Sequence, residues 1–291
     1  MKKIILLIIT VVLIVALSLV GFVGCKSNTS LTQIFSEYNI WRSASLPETF
    51  TYSMYKGDST DSIGTLTMTV EQLSKSTSYY LGKTGLTDEA NALYTITTES
   101  VNETFKATTT LTVNTEDSNF SKTTIAIFTR NYQILGSYSY TNNNGVESSF
   151  VSHNVDNKRY YYRLSSDWDD EKAIKNGKYE SAPYFDNTML YFVARSIPED
   201  SSYASYSFNI FDLDKNTKEK VSLTNNYDTV APVSINGGDA INCKTITMQT
   251  SDTLLGTTNF IVCNVSKAKY NGYSSVITKI VEGNYSYVLN A

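Results

Sequence analysis

Acyl transfer of the Ser-His-Asp kind needs a base beside its nucleophile. This chain has one histidine, His153, in the run Val151-Ser152-His153-Asn154, which reads as the end of a strand. No Gly-x-Ser-x-Gly is present, and neither are the Walker or Rossmann glycine patterns. The carboxylates leave one cluster, Asp167, Asp169, Asp170 and Glu171 around Trp168. A paired-carboxylate glycosidase sets its two acids across a groove. These four are neighbours in sequence and suit the first turn of a helix, where negative charge meets the positive end of the dipole. A Ca²⁺ loop is the alternative, but the spacing matches no known loop. We therefore expect a protein that is not an enzyme, with no catalytic residue, no metal and no cofactor.

Three cysteines remain to be placed: Cys25, Cys243 and Cys263. Ile241 to Met248 and Asn259 to Val265 read as two strands, with Ser251 to Gly256 as the turn. Folding that hairpin about Thr253 sets Cys243 opposite Cys263, and Ile241 opposite Val265. Directly opposite residues have Cβ atoms about 4.5–5.5 Å apart, slightly long for a bridge. A Cys243–Cys263 disulfide is therefore expected, against the alternative of two small buried thiols. Two thiols and one distant His do not make a zinc site.

Cys25 follows a different pattern. Lys2 and Lys3 open the chain, and Ile4 to Val20 is an apolar run broken only by Thr10 and Ser18. Gly21-Phe22-Val23-Gly24-Cys25 comes next. A run of about 18 apolar residues can span a bilayer, but small residues directly before a Cys favour cleavage. The segment resembles the bacterial lipoprotein signal, with Phe22 where Leu is usual. The resemblance implies a signal peptide over residues 1–24 and lipidation of Cys25, with palmitate-type chains holding the protein to the outer side of a cytoplasmic membrane. An uncleaved anchor is the alternative, and it leaves the domain on the same side.

These residues need elements to position them. Lys26 to Ser30 is a polar tether, and Leu31, Ile34, Phe35, Tyr38 and Trp41 recur at helical spacing. Residues 25–49 thus read as a lipidated tether and a short helix packed on the domain. From residue 50 the period becomes two. Strands are expected at 49–55, 63–73, 77–82, 91–101, 104–114, 121–129, 133–140, 146–152 and 157–164. They resume at 204–213 and 218–225, then form the cysteine hairpin, 274–280 and 284–289. Asn142-Asn143-Asn144-Gly145 is a strong turn signal. Two segments break the alternation. Phe185, Met189, Leu190, Phe192, Val193 and Ile197 lie at helical intervals, with Asp186 and Asn187 as caps and Pro198 as stop. Asp167 to Ile174 is a second short helix. The first is too apolar for a surface helix and should plug the sheet. Arg195 at its end either pairs with Asp186 or Asp212, or faces a pocket for an anionic headgroup beside Phe192 and Phe185.

The fold class expected is mostly β: a single curved antiparallel sheet, half-barrel or open barrel, over residues 50–291, with one or two short packed helices. Composition agrees. The chain holds 22 Tyr and 4 Pro, and Tyr, Thr, Val and Ile fit a half-buried pleated surface. Without residues 1–24 the basic residues fall from 24 to 22, against 28 acidic ones. That surface gives nucleic acid nothing to bind. Tyr160-Tyr161-Tyr162 alternates across a strand and reads as cross-strand packing, with sugar or peptide binding as the alternative.

Several blocks add a resemblance. They are Tyr184-Phe185-Asp186-Asn187 with Leu190-Tyr191-Phe192 and Ala194-Arg195-Ser196, then Phe208-Asn209-Ile210-Phe211-Asp212. Gly237-Gly238 before Cys243-Lys244, Val276 to Ile280, and Gly283-Asn284-Tyr285 complete the set. Together they resemble a large uncharacterised family of bacterial envelope β-domains, a domain of unknown function. That family is similar in fold to the curved half-barrel of periplasmic lipoprotein carriers. The implied function is an extracytoplasmic, lipid-anchored binding or carrier module for a hydrophobic or amphiphilic ligand. The alternative is a structural or protein-interaction module of the envelope with a filled core. The expected partners are the membrane, through the N-terminal lipid, and a lipid or amphiphile.

Overall fold

Alternation of apolar and polar residues puts one face of each strand against a common core. The pattern is clear in β1 (Glu48–Lys56), where Phe50, Tyr52 and Met54 are buried and Thr49, Thr51 and Ser53 are not. It repeats in β2 (Gly64–Gln72), with Leu66, Met68 and Val70 inside. The computed structural model describes residues 46–290 apart from internal segments, the longest being 81–94. The expected signal peptide, the lipidated Cys25 and the helix at 31–41 lie outside the described residues. So do residues 167–173 of the second expected helix, and Ile174 opens a strand instead.

The chain continues through β3 (Ser78–Tyr80), β4 (Thr95–Thr97), β5 (Thr104–Thr115), β6 (Ser118–Thr129) and β7 (Ile134–Asn143). Next come β8 (Val146–Val155), β9 (Lys158–Ser165), β10 (Ile174–Lys178) and β11 (Phe185–Asp186). The C-terminal half holds β12 (Ser205–Asp212), β13 (Thr217–Ser234), β14 (Ala240–Gln249), β15 (Phe260–Ser266), β16 (Ile277–Glu282) and β17 (Tyr285–Leu289). Fifteen strands form one open, curved sheet in the order β10-β9-β8-β7-β6-β5-β2-β1-β17-β16-β15-β14-β13-β12-β11. β3 and β4 pair separately. The first and last long strands, β1 and β17, meet in the middle, with Tyr52 opposite Leu289. Two antiparallel meanders are thereby joined into one surface. Between β7 and β8 the predicted Asn-Gly turn is present, with Asn144 at φ 52° and Gly145 at φ 87°. Positive φ at both positions matches the twist of a tight hairpin.

The single apolar segment expected to plug the sheet does so, with different ends. Phe185 and Asp186 are extended and pair in parallel with Ile210 and Phe211 of β12. Asn187–Met189 is a 3₁₀ turn, and the helix proper, α1, is Leu190–Arg195. Asp186 makes no side-chain cap. Its carboxylate goes instead to Ser137 of β7.

The expected disulfide is corrected by the register of the cysteine hairpin. Cys243 lies opposite Ser266, and Cys263 lies opposite Ile246. The hairpin therefore turns between Leu254 and Leu255, a pairing shifted by an odd number of residues, which exchanges the faces of one strand. Cys263 joins Ile246, Met248, Ile261 and Val265 in the core. Cys243 points to the other face, with its Sγ 3.0 Å from Thr278 Oγ1. Both are free and buried. Burial raises both thiol pKa values, with the Thr278 hydrogen bond opposing it at Cys243.

Two outcomes follow. A thiol-alkylating reagent should leave Cys243 and Cys263 unlabelled in the folded protein and label both after denaturation without reductant; an unlabelled pair in the denatured chain would mean a disulfide. The second concerns Tyr52 and Tyr287. Burial raises both phenols above their ordinary value of 10.0, aided at Tyr287 by the Glu282 carboxylate and opposed at Tyr52 by Arg195. The unfolded chain then loses these protons first. The stabilisation is complete below pH 10 and is lost as pH rises beyond it. Urea midpoints should stay level from pH 8 to about 10 and fall above that, less steeply in the Tyr52→Phe/Tyr287→Phe variant.

Candidate functional site

A six-residue helix meets few of its own hydrogen-bonding needs, and α1 is buried along its whole length. The site is therefore built from what the strands supply to its ends. Ahead of α1, Asn187 Oδ1 accepts from the amides of Thr188 at 3.1 Å and Leu213 at 3.2 Å. Behind it, Ser196 Oγ donates to Phe192 O at 2.9 Å and takes a hydrogen bond from the Tyr132 hydroxyl. Lys244 of β14 donates its ammonium to Ile197 O. Asn225 Nδ2 of β13 reaches Pro198 O at 2.8 Å. A cation at the helix C-terminus meets the negative end of the dipole.

Arg195 has the fullest set of partners. Its side chain is 3% exposed and forms an ion pair with Glu48, itself 2% exposed. Arg195 Nε donates to Ser275 O at 3.1 Å and Nη2 to Ser274 O at 3.3 Å. The guanidinium carbon stands 5.1 Å from the Phe50 ring centroid, which adds a cation–π contact. The expected pairing of Arg195 with Asp186 or Asp212 is corrected. Asp186 is taken by Ser137, and Asp212 by Lys215, at 2.7 Å. The brace expected between helix and sheet exists, but its carboxylate comes from β1.

The expected ligand pocket of Arg195, Phe192 and Phe185 is corrected as well. Phe185 and Phe192 are 0% and 1% exposed and belong to the core cluster. Phe185 packs edge-on to Tyr132 at 6.3 Å and to Phe208 at 5.6 Å. Tyr132 stacks on Phe128 at 5.6 Å. Tyr132 holds φ at 62°, a backbone conformation that costs on the order of 1–3 kcal/mol for a non-glycine residue. All three expected residues are buried, Arg195 with Glu48 and the two phenylalanines in the core.

A half-open recess lies at the other end of the plug. It holds about 20 Å³ and is lined by Thr109, Lys122, Thr124, Thr188, Tyr191 and Thr253 among others. Sequence reasoning missed Glu48, Lys122 and Lys244. A signal was available, because each sits in phase with the apolar stripe of its strand. Glu48 precedes Phe50, Tyr52 and Met54 by steps of two, and Lys244 precedes Ile246 and Met248. An in-phase charge marks an inward charge, and an inward charge needs a partner.

No protein-family model matches the chain, and no curated protein matches it. Among solved structures, the chain is similar to a β-barrel-like protein of the domain of unknown function DUF1849 from Brucella abortus. The identity is 10% and the TM-score 0.43; the match covers 84% of this chain and 95% of that one.

The ion pair gives a direct test. Arg195→Met leaves the Glu48 carboxylate buried and unpaired, and should cost about 3–5 kcal/mol in urea unfolding. Adding Glu48→Leu should recover most of the loss. Additive losses in the double variant would show that the two side chains do not act as a pair.

Proposed function

We propose that the chain is a lipid-anchored module on the outer side of a cytoplasmic membrane, one that works through its surface as a structural or protein-interaction part of the envelope. The observation that carries this reading is the burial of the whole of α1 against the sheet. Among the described residues, the recess beside it holds about 20 Å³, against roughly 150 Å³ for a cavity that admits benzene. An acyl chain needs more room than either. A carrier of hydrophobic or amphiphilic cargo would have to expel α1 and break the hydrogen bonds at Ser137, Tyr132, Lys244, Asn225 and Arg195 together. Those bonds favour the filled core over the carrier.

The anchoring half of the reading rests on Cys25 and the apolar run before it. Lipid at the first mature residue, followed by the polar stretch Lys26 to Ser30, would hold the β-domain beside the bilayer. No catalytic step is assigned to the protein.

Two measurements separate these parts. Growth with radiolabelled palmitate should label the wild-type protein and not the Cys25→Ala variant; an unlabelled wild type would remove the anchor. Native mass spectrometry of the full chain, released from detergent, should give the mass of the covalently lipidated protein alone. A copurifying free lipid would restore the carrier.

A further inference from the structure

The recess beside the start of α1 has an unusual lining for the buried face of a sheet. Thr109 of β5 is opposite Thr124 of β6, and Thr124 is opposite Ser139 of β7. All three are buried, so a row of hydroxyls crosses the concave face where apolar side chains are the rule. The plug adds Thr188, and the loop between β14 and β15 adds Thr253. Thr109, Thr188 and Thr253 are 3%, 6% and 5% exposed, and their Oγ1 atoms have no hydrogen-bond partner among the described residues. Leaving such groups unmet costs about 1–3 kcal/mol each. Three around one recess point to a ligand that supplies the missing bonds.

The chemistry of that ligand can be narrowed. Lys122 is the cation of the recess, and its ammonium is 2.7 Å from Asp214 Oδ2. The pair leaves little net charge to attract an anion. Each threonine hydroxyl both donates and accepts, so the matching group must do the same, and a hydroxyl does. Leu190, Leu254 and Ile261 supply an apolar wall against which C–H groups can pack. About 20 Å³ of the recess admits a water-sized group, room for a single hydroxyl, and the recess is half-open to solvent. We propose that this recess takes one hydroxyl-bearing arm of a neutral polyol among Thr109, Thr188 and Thr253, with the rest of the molecule outside its open mouth. The assignment goes beyond the envelope-module reading and does not depend on it, because the recess exists whether or not Cys25 is lipidated.

The test uses the full chain in detergent micelles with threonine γ-methyl groups labelled for NMR. Glucose, glycerol, sodium acetate and sodium phosphate are titrated separately. Saturable shifts of Thr109, Thr188 and Thr253 with glucose or glycerol are expected, with Thr67 on the outer face unmoved. Thr253→Val and Thr188→Val should each weaken that binding about fivefold to tenfold. Each variant spectrum reports its own folding, so one misfolded variant leaves the other to decide. No saturable shift with glucose or glycerol would mean a recess that holds water only, and would overturn the proposal. Shifts with acetate or phosphate alone would overturn it too, in favour of an anion site.

Discussion

A short buried helix creates a debt of unmet carbonyls and amides, and this fold is arranged around meeting it. α1 spans Leu190–Arg195, too short for its backbone to satisfy itself. Within an apolar core each unmet group would cost several kcal/mol. The strands also send polar side chains inward to the residues that flank the helix and to its last side chain: Ser137 from β7 to the Asp186 carboxylate, Asn225 from β13 to Pro198 O, Lys244 from β14 to Ile197 O, and Glu48 from β1 to the Arg195 guanidinium. Each comes from a different strand, so the helix is held from several directions around the curve. Replacing such buried ionic groups by apolar ones of like volume is often neutral for stability. Their contribution here is position: they fix where the plug sits on an open sheet that would otherwise accept several placements.

The same constraint explains what was legible in the sequence. Strand positions came from alternation alone, and the Asn144-Gly145 turn from its residue types. The presence of an apolar plug near Phe192 was legible because its period differs from that of its neighbours. Its ends were not. Phe185 and Asp186 fit a helical pattern locally, yet their backbone pairs with β12. That outcome depends on a strand more than twenty residues further along the chain. The cysteine pairing failed for a similar reason. Symmetry about Thr253 is a local guess, whereas register is set by which residues the whole sheet needs inside. Ile246 and Met248 outweigh Cys243 in that choice. The partner of Arg195 was also out of reach of local reasoning. Asp186 and Asp212 were near in sequence, while Glu48 lies 147 residues away. Strand order alone brings β1 into place, through its pairing with β17 and hence β16.

The interior therefore divides into two parts with different chemistry. Around the C-terminal end of α1, charge, backbone carbonyls and aromatic rings are mutually satisfied, as at Arg195, Glu48 and Phe50. Around its start, threonine hydroxyls have no partners among the described residues beside a half-open recess. The first arrangement suits permanence and the second suits exchange with something outside. One end keeps the sheet in shape, and the other offers a small polar site at its mouth.

Amide hydrogen exchange of α1 tests the central claim most directly. If the strands hold the plug as described, the protected amides of α1 should exchange only through global unfolding. Their opening free energy should then match that of β1 and fall equally with added urea. Exchange of α1 at a much lower free energy, insensitive to urea while β1 stays protected, would contradict the account. It would mean that the plug leaves an intact sheet, and that the curved sheet is a container after all.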